Sequence, residues 1–263
     1  MEAPKLKPIS RILLSNDDGI DAIGLKILYD IAVQFSDDVW VIAPSENRSG
    51  ASRSITLRRD VAIQQIGSKR YSCSGTPADC IIFGVSQILD KPPDLVLTGI
   101  NHGMNVADDI LYSGTVAGAM EAALLKVPAI ALSQRYGADG AAGAADYTPS
   151  QRYGVAVVRY LLAVGIPDRV VMNVNFPKTD VDQIKGMKPA YLDRHKLGDV
   201  IVAGDAPHHY RLGPLHSDPQ KSPGSDRAVL DEGWISLTPL LMDVTAKDVL
   251  SALTPTELDV EPV

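Results

Sequence analysis

Residues 12–21 read ILLSNDDGID, in which Ile12-Leu13-Leu14-Ser15 runs directly into Asn16-Asp17-Asp18-Gly19. A short apolar run that stops at Asn, Asp and Gly is the pattern of a buried strand, here expected over Arg11–Ser15, closed by a turn. Beyond it, Ile23, Ile27, Leu28, Ile31 and Phe35 fall on one helical face, so Ala22–Phe35 is expected to be a helix. Strand followed by helix is the start of a βαβ unit, and the alternation continues. Asp38–Ala43 (DVWVIA) reads as a second strand and ends in a polar loop, Pro44–Ser54. Ile55–Leu57, Val61–Ile66 and Arg70–Ser74 alternate like short antiparallel strands, with Gly67-Ser68 in a turn. Thr76-Pro77-Ala78-Asp79 combines an N-cap, a proline at the first helical position and an acid in the first turn. It opens a helix to about Leu89.

The next strand is Asp94–Thr98 (DLVLT), followed by a glycine-rich loop, GINHGMN, and a helix over Gly114–Lys126. Pro128–Ser133, a helix over Ser150–Val164, the strand Arg169–Phe176 and a returning strand at Trp234–Pro239 complete the pattern. Parallel neighbours need crossover connections, so this alternation implies an α/β fold: a Rossmann-like, mostly parallel sheet with helices on both faces. Residues 190–233 are polar, rich in Pro, Gly and His, and weakly periodic. They are expected to form an extended arm or hairpin used in oligomerisation, between a core of residues 1–189 and a C-terminal part, 234–263, with a strand, a helix and a tail frayed from about Thr254.

A chain of 263 residues that is 45% hydrophobic can bury a full core. Its formal charge of −7 supplies no basic footprint for a nucleic acid polymer or an acidic membrane surface. The opening MEAPKLKPIS has no apolar core of a signal peptide, and no apolar run approaches a membrane span. A cytoplasmic protein is expected. Its two cysteines, Cys73 and Cys80, lack CxxC spacing and give neither a disulfide framework nor a thiolate zinc site.

Ligands of open parallel sheets bind beyond the carboxyl ends of the strands. Three polar clusters lie there: Asn16-Asp17-Asp18-Gly19, Pro44–Gly50, and Gly99–Asn105. Two carboxylates about 4 Å apart repel by about 4 kcal/mol at an effective dielectric of 20, or about three pKa units. A helix N-terminus offers about half a positive charge, whereas a divalent cation offers two and coordinates both oxygens. The ordinary alternative has Asp17 capping the following helix, Asp18 solvated and Gly19 serving the turn. Taken alone the tetrapeptide favours that alternative; joined to the other two loops it favours an ion. With oxygen donors and no Cys or His pair nearby, Mg²⁺ or Mn²⁺ is expected over Zn²⁺.

Such an ion keeps open positions that suit a phosphate ester. Tyr112–Gly118 (YSGTVAG) adds hydroxyls and free amides at a helix start, although simple N-capping and close helix packing would also account for Ser113, Gly114 and Gly118. P-loop, dinucleotide, cysteine-phosphatase and GxSxG signatures are absent, and no DxD follows the first strand. His208, His209 and His216 are expected to be solvated, while His102 and Arg48 are candidates for substrate contact against an exposed role.

SNDDG, APSENRSGASRSIT, SGTPAD, TGINHGMN and YSGTVAGAMEA, in this order over residues 11–133, resemble the stationary-phase survival protein SurE family. The later half, through WISLTPL, matches less sharply. The resemblance implies a metal-dependent nucleoside monophosphate phosphatase with one divalent ion per subunit, held by Asp17, Asp18, Ser49 and Asn101. It places Asn105, Ser113, Gly114 and Thr115 near the substrate phosphate. It also implies a homodimer or dimer of dimers that exchanges the arm. Asp17 and Asp18 are the expected catalytic residues, Asp17 the expected proton acceptor, acting on nucleoside 5′-monophosphates and in a wider reading 3′-monophosphates. The competing reading is a nucleotide-binding regulatory module without turnover.

Overall fold

The computed structural model describes residues 9–136 and 146–253. The first part contains β1 (Ile12–Ser15), α1 (Ile23–Ala32), β2 (Val39–Pro44), β3 (Ile63–Gly67), β4 (Arg70–Cys73), α2 (Pro77–Phe83), β5 (Leu95–His102), α3 (Gly114–Leu124) and β6 (Ala129–Gln134). The second contains α4 (Thr148–Val164), β7 (Val170–Phe176), β8 (Met187–Pro189), β9 (Lys196–Ala203), β10 (Tyr210–Ser217), α5 (Asp226–Asp231), β11 (Ile235–Leu241) and α6 (Lys247–Ala252).

Nine strands form one sheet in the order β3-β4-β2-β1-β5-β6-β7-β11-β8. From β4 through β7 all neighbours are parallel, and β3 and β11 run antiparallel to β4 and β7. The fold is α/β with a mostly parallel central sheet. The sequence of β1 shows why both faces are covered. Ile12 and Leu14 enter a core with Leu28 and Ile31 of α1 and Val157 and Leu161 of α4. Leu13, between them, enters a second core with Ile81 of α2 and Val116 and Ala119 of α3. A strand buried on both faces has no polar alternation, which is the run seen in ILLS.

The glycine-rich motif is not a loop after a shorter strand: β5 continues through Gly99-Ile100-Asn101-His102, with the β5–β6 register slipping between Thr98 and Asn101. Ile55–Leu57 forms no strand, the β3–β4 turn lies at Ser68-Lys69, and the α2 helix ends in a π-helical turn over Gly84–Ile88. Within 190–233, only β9 and β10 form a hairpin, a separate two-stranded sheet. The flanking chain is core-like: α5 buries Asp226, Val229 and Leu230. Periodicity failed there because α5 is too short to show one. The expected frayed tail from Thr254 and the opening residues 1–8 lie outside the described residues. Among the described residues no helix is long and apolar enough to cross a membrane.

Candidate metal and phosphate site

β1 pairs with β5 up to Ser15 opposite Thr98, so the NDDG turn follows β1 at the rim along which β5 runs on through Asn101. Backbone and side-chain bonds then tie the loops together. Arg48 N–H donates to the Asp17 carbonyl at 2.7 Å, joining the second loop to the first. His102 N–H donates to Asp18 Oδ2 at 3.0 Å, joining the third. Thr115 Oγ1–H donates to Asp17 Oδ1 at 2.5 Å, joining the start of α3. Ser52 Oγ and N–H donate to the carbonyls of Leu111 and Tyr112, closing the ring between the second loop and α3.

Neither aspartate caps α1, whose N-cap is Ala22 and has no side-chain acceptor. Asp17 is instead pressed against α3: a Cβ on Gly114 would lie 2.7 Å from its Cβ. With only 4% of its surface exposed, Asp17 has its carboxyl pushed up to about 6. Burial is the largest cause, the Thr115 hydroxyl opposes it, and the charge of Asp18 adds to it. Asp18 is likewise raised by burial, against the His102 amide. Desolvation, rather than the mutual repulsion expected from adjacency alone, dominates at both positions.

Asn101 reaches this corner because Gly99 lets β5 hump over β6. Gly99 has φ +123° and a Cβ there would sit 2.2 Å from the Leu132 carbonyl, so only glycine fits. The Asn101 amide nitrogen donates to the Gly103 carbonyl at 2.9 Å, which leaves its oxygen to face other groups. Ser49 is exposed, and among the described residues its hydroxyl makes no hydrogen bond. Asn16 Oδ1 is buried in the NDDG turn without a donor. A bare acceptor in such a place is costly unless a cation or ordered water serves it. Among the described residues no three His, Cys, Asp or Glu side chains gather. The donor set is two carboxylates, an amide and a hydroxyl, all oxygen, and it fits a hard divalent cation completed by water.

The expected phosphate residues divide. Ser113 caps α3 by accepting the Val116 N–H at 3.0 Å, and the Thr115 hydroxyl is engaged by Asp17. What the start of α3 offers is the backbone amides of Ser113 and Gly114, since that of Thr115 also meets the Asp17 carboxylate. Asn105 is buried and donates through Nδ2 to Ser133 Oγ at 2.8 Å. Asn175 Oδ1 accepts its N–H at 2.8 Å, and Asn173 and Asn175 each donate to its carbonyl at 2.9 Å. Arg48 donates to the Ser74 carbonyl and pairs with Glu46, while His102 stacks on Tyr136 with ring centroids 5.1 Å apart. His208, His209 and His216 are exposed.

Sequence reading missed Asn173, Asn175 and Tyr147. The first two left a signal, polar residues at period two in the apolar strand VVMNVNF. Tyr147 left none: its phenol is shifted upward by burial and by the charge of Asp18, a proximity created by the approach of α4.

A family model described as Survival protein SurE matches residues 12–199. The chain is 42% identical over 248 residues to the 5′-nucleotidase SurE of Methylorubrum populi, covering 92% of this chain and 96% of that one. It is 41% identical to the 5′-nucleotidase SurE of Erythrobacter litoralis, over 92% and 98%. The crystal structure of the SurE protein from Aquifex aeolicus matches with a TM-score of 0.80 at 33% identity, over 92% of this chain and 98% of that one.

Proposed function

We propose, because the chain belongs to the survival protein SurE family, that it is a 5′-nucleotidase releasing phosphate from nucleoside 5′-monophosphates with one Mg²⁺ or Mn²⁺ per subunit. The observation that carries this reading is the Asp17–Asp18 corner, bonded to the loops of Ser49 and Asn101 and to the start of α3. Asp17, Asp18, Ser49 and Asn101 would hold the ion, which supplies charge to the phosphoryl oxygens and acidifies a bound water. The amides of Ser113 and Gly114, at the positive end of α3 and beside Thr115, meet the remaining phosphate oxygens and the charge that develops on them. Asp17, at the same corner, accepts the proton of the attacking water. Nucleoside 3′-monophosphates present the same ester to the same corner and are the second substrate class. The two free, buried cysteines suit a reducing cytoplasm.

The test is phosphate release from AMP with and without EDTA. Turnover should vanish with the chelator and return with Mn²⁺ or Mg²⁺. A protein that binds AMP without releasing phosphate under any metal would instead be a regulatory binding module.

The β9–β10 hairpin is assigned to assembly, as a homodimer or dimer of dimers. Among the described residues it pairs with no other strand, and it exposes Tyr210 at 66% and Leu212 at 76% of their surfaces, an apolar patch that a second copy would cover. Its ends are adjacent, with Asp218 N–H donating to the His195 carbonyl at 2.7 Å, so residues 197–217 can be excised with Lys196, whose N–H meets Asp108, retained. Sedimentation of that deletion should show a smaller particle that still hydrolyses p-nitrophenyl phosphate. Unchanged size would remove the hairpin from assembly, and loss of hydrolysis would show that it also closes the site.

A further inference from the structure

Asn105 and Ser113 are joined by Val106–Tyr112, which includes a 3₁₀ turn over Ala107–Leu111. The course of this link is imposed from elsewhere in the chain. Asp226, 0% exposed at the start of α5, accepts the Ala107 N–H through Oδ2 at 2.7 Å. Its other oxygen accepts the N–H of Asp193 at 3.1 Å and of Arg227 at 2.8 Å. Asp226 is not needed as a cap for α5, because Ser225 fills that role by accepting the Ala228 N–H. Ala107 stands at φ +51°, a conformation that residues with a Cβ rarely adopt and that needs support from its surroundings. Two residues earlier, Asn175 brackets Asn105 from both sides, accepting its N–H and donating to its carbonyl. Further along, Asp108 accepts the N–H groups of His195 and Lys196 at 2.9 and 3.1 Å.

A carboxylate withdrawn completely from water is tolerated only where several donors meet it. Here one of those donors is the backbone of the link itself, 119 residues away in sequence. We propose that Asp226 is a positioning residue for the phosphate side of the site: with Asn175 it fixes the backbone between Asn105 and Ser113, and thereby the place where α3 presents its amides. The proposal rests on the reading that Asn105 and the start of α3 meet the substrate phosphate. Asp226 touches neither Asp17 nor Asp18 and acts only through the link.

The experiment uses Asp226→Asn, of equal size, which turns one acceptor oxygen into a donor facing a backbone N–H, and Asn175→Ser, which removes the clasp on Asn105. Displacing a binding group by about 1 Å can cost about a hundredfold. Both variants should lose tenfold or more in kcat/KM for AMP, a rough scale from such displacements, with the inhibition constant of inorganic phosphate rising in step. Mn²⁺ affinity, measured by titration calorimetry, should fall by a much smaller factor, because the start of α3 meets only Asp17 of the four ion-binding residues. Asn101→Ala in parallel should show the opposite, weakened Mn²⁺ binding. Folded variants with unchanged phosphate inhibition overturn the proposal. So does a loss that only tracks the unfolded fraction, or one in which Mn²⁺ and phosphate affinities fall by the same factor, since each describes a merely structural residue. A parent protein that neither hydrolyses AMP nor binds phosphate with Mn²⁺ defeats the nucleotidase reading itself, and the positioning role with it.

Discussion

Asp17→Asn will abolish metal-dependent phosphate release and, with metal removed, will make the protein more stable at pH 8. Asp17 contributes half of the carboxylate pair, so the variant loses one full negative charge where a cation must bind. Its effect on stability has the opposite sign. Burial raises the Asp17 carboxyl from its ordinary value of 3.8 to about 6 in the metal-free fold. The folded state therefore holds this proton more tightly than the unfolded chain. The resulting stabilisation is complete below the unfolded value and is lost as pH rises through the folded one. A rise from 3.8 to about 6 corresponds to about 3 kcal/mol between the two ends of that window.

Asparagine does not titrate, so urea midpoints of parent and variant in EDTA should diverge between pH 4 and pH 8, the parent losing ground. Carboxylates remote from this corner are common to both proteins and cancel in the comparison. Added Mn²⁺ should then raise the melting temperature of the parent, by mass action on the folded state, and leave the variant unmoved. Parallel pH profiles, or residual metal-dependent turnover in the variant, would remove Asp17 from the role assigned to it.

Gly114→Ala should separate activity from folding in the other direction. Alanine is the better helix former by up to about 1 kcal/mol, so α3 should form at least as readily. The new methyl, however, would fall 2.7 Å from Asp17 Cβ and 2.8 Å from its Oδ2. Neither approach can be tolerated, and Asp17, enclosed on its other sides, has to yield. Displacing a metal-binding carboxylate by about 1 Å should reduce kcat/KM by about a hundredfold. Mn²⁺ affinity should fall with it, while the thermal unfolding midpoint stays within a few degrees of the parent. Full activity in a correctly folded Gly114→Ala protein would show that the contact between α3 and the NDDG turn is dispensable.

Much of this molecule was legible without coordinates. ILLS, DVWVIA and DLVLT are continuous apolar runs because their strands are covered on both faces, and that alone separates a parallel α/β sheet from an antiparallel one. The cap at Thr76 was legible because its donors lie within one helical turn, and the structure shows the reciprocal bonds between Thr76 and Asp79. The strand ending at Thr98 was misjudged because glycines ordinarily punctuate chains, whereas Gly99 here serves a bulge inside a strand. The helix at 226–231 was misjudged because six residues are too few to display a period.

The sequence by itself determined the layer architecture, the rim at which the polar clusters emerge and the chemical types of the donors they bring, since these depend on local period and composition. Only the tertiary structure decided which partners those groups meet: Asp17 with Thr115 instead of with α1, Ser113 as a cap, Asn105 clasped by Asn175, and Asp226 reaching Ala107. Those pairings join residues up to 119 positions apart. Desolvation, which sets the charge state of Asp17, comes from the whole of the surrounding packing and leaves no local trace in the chain.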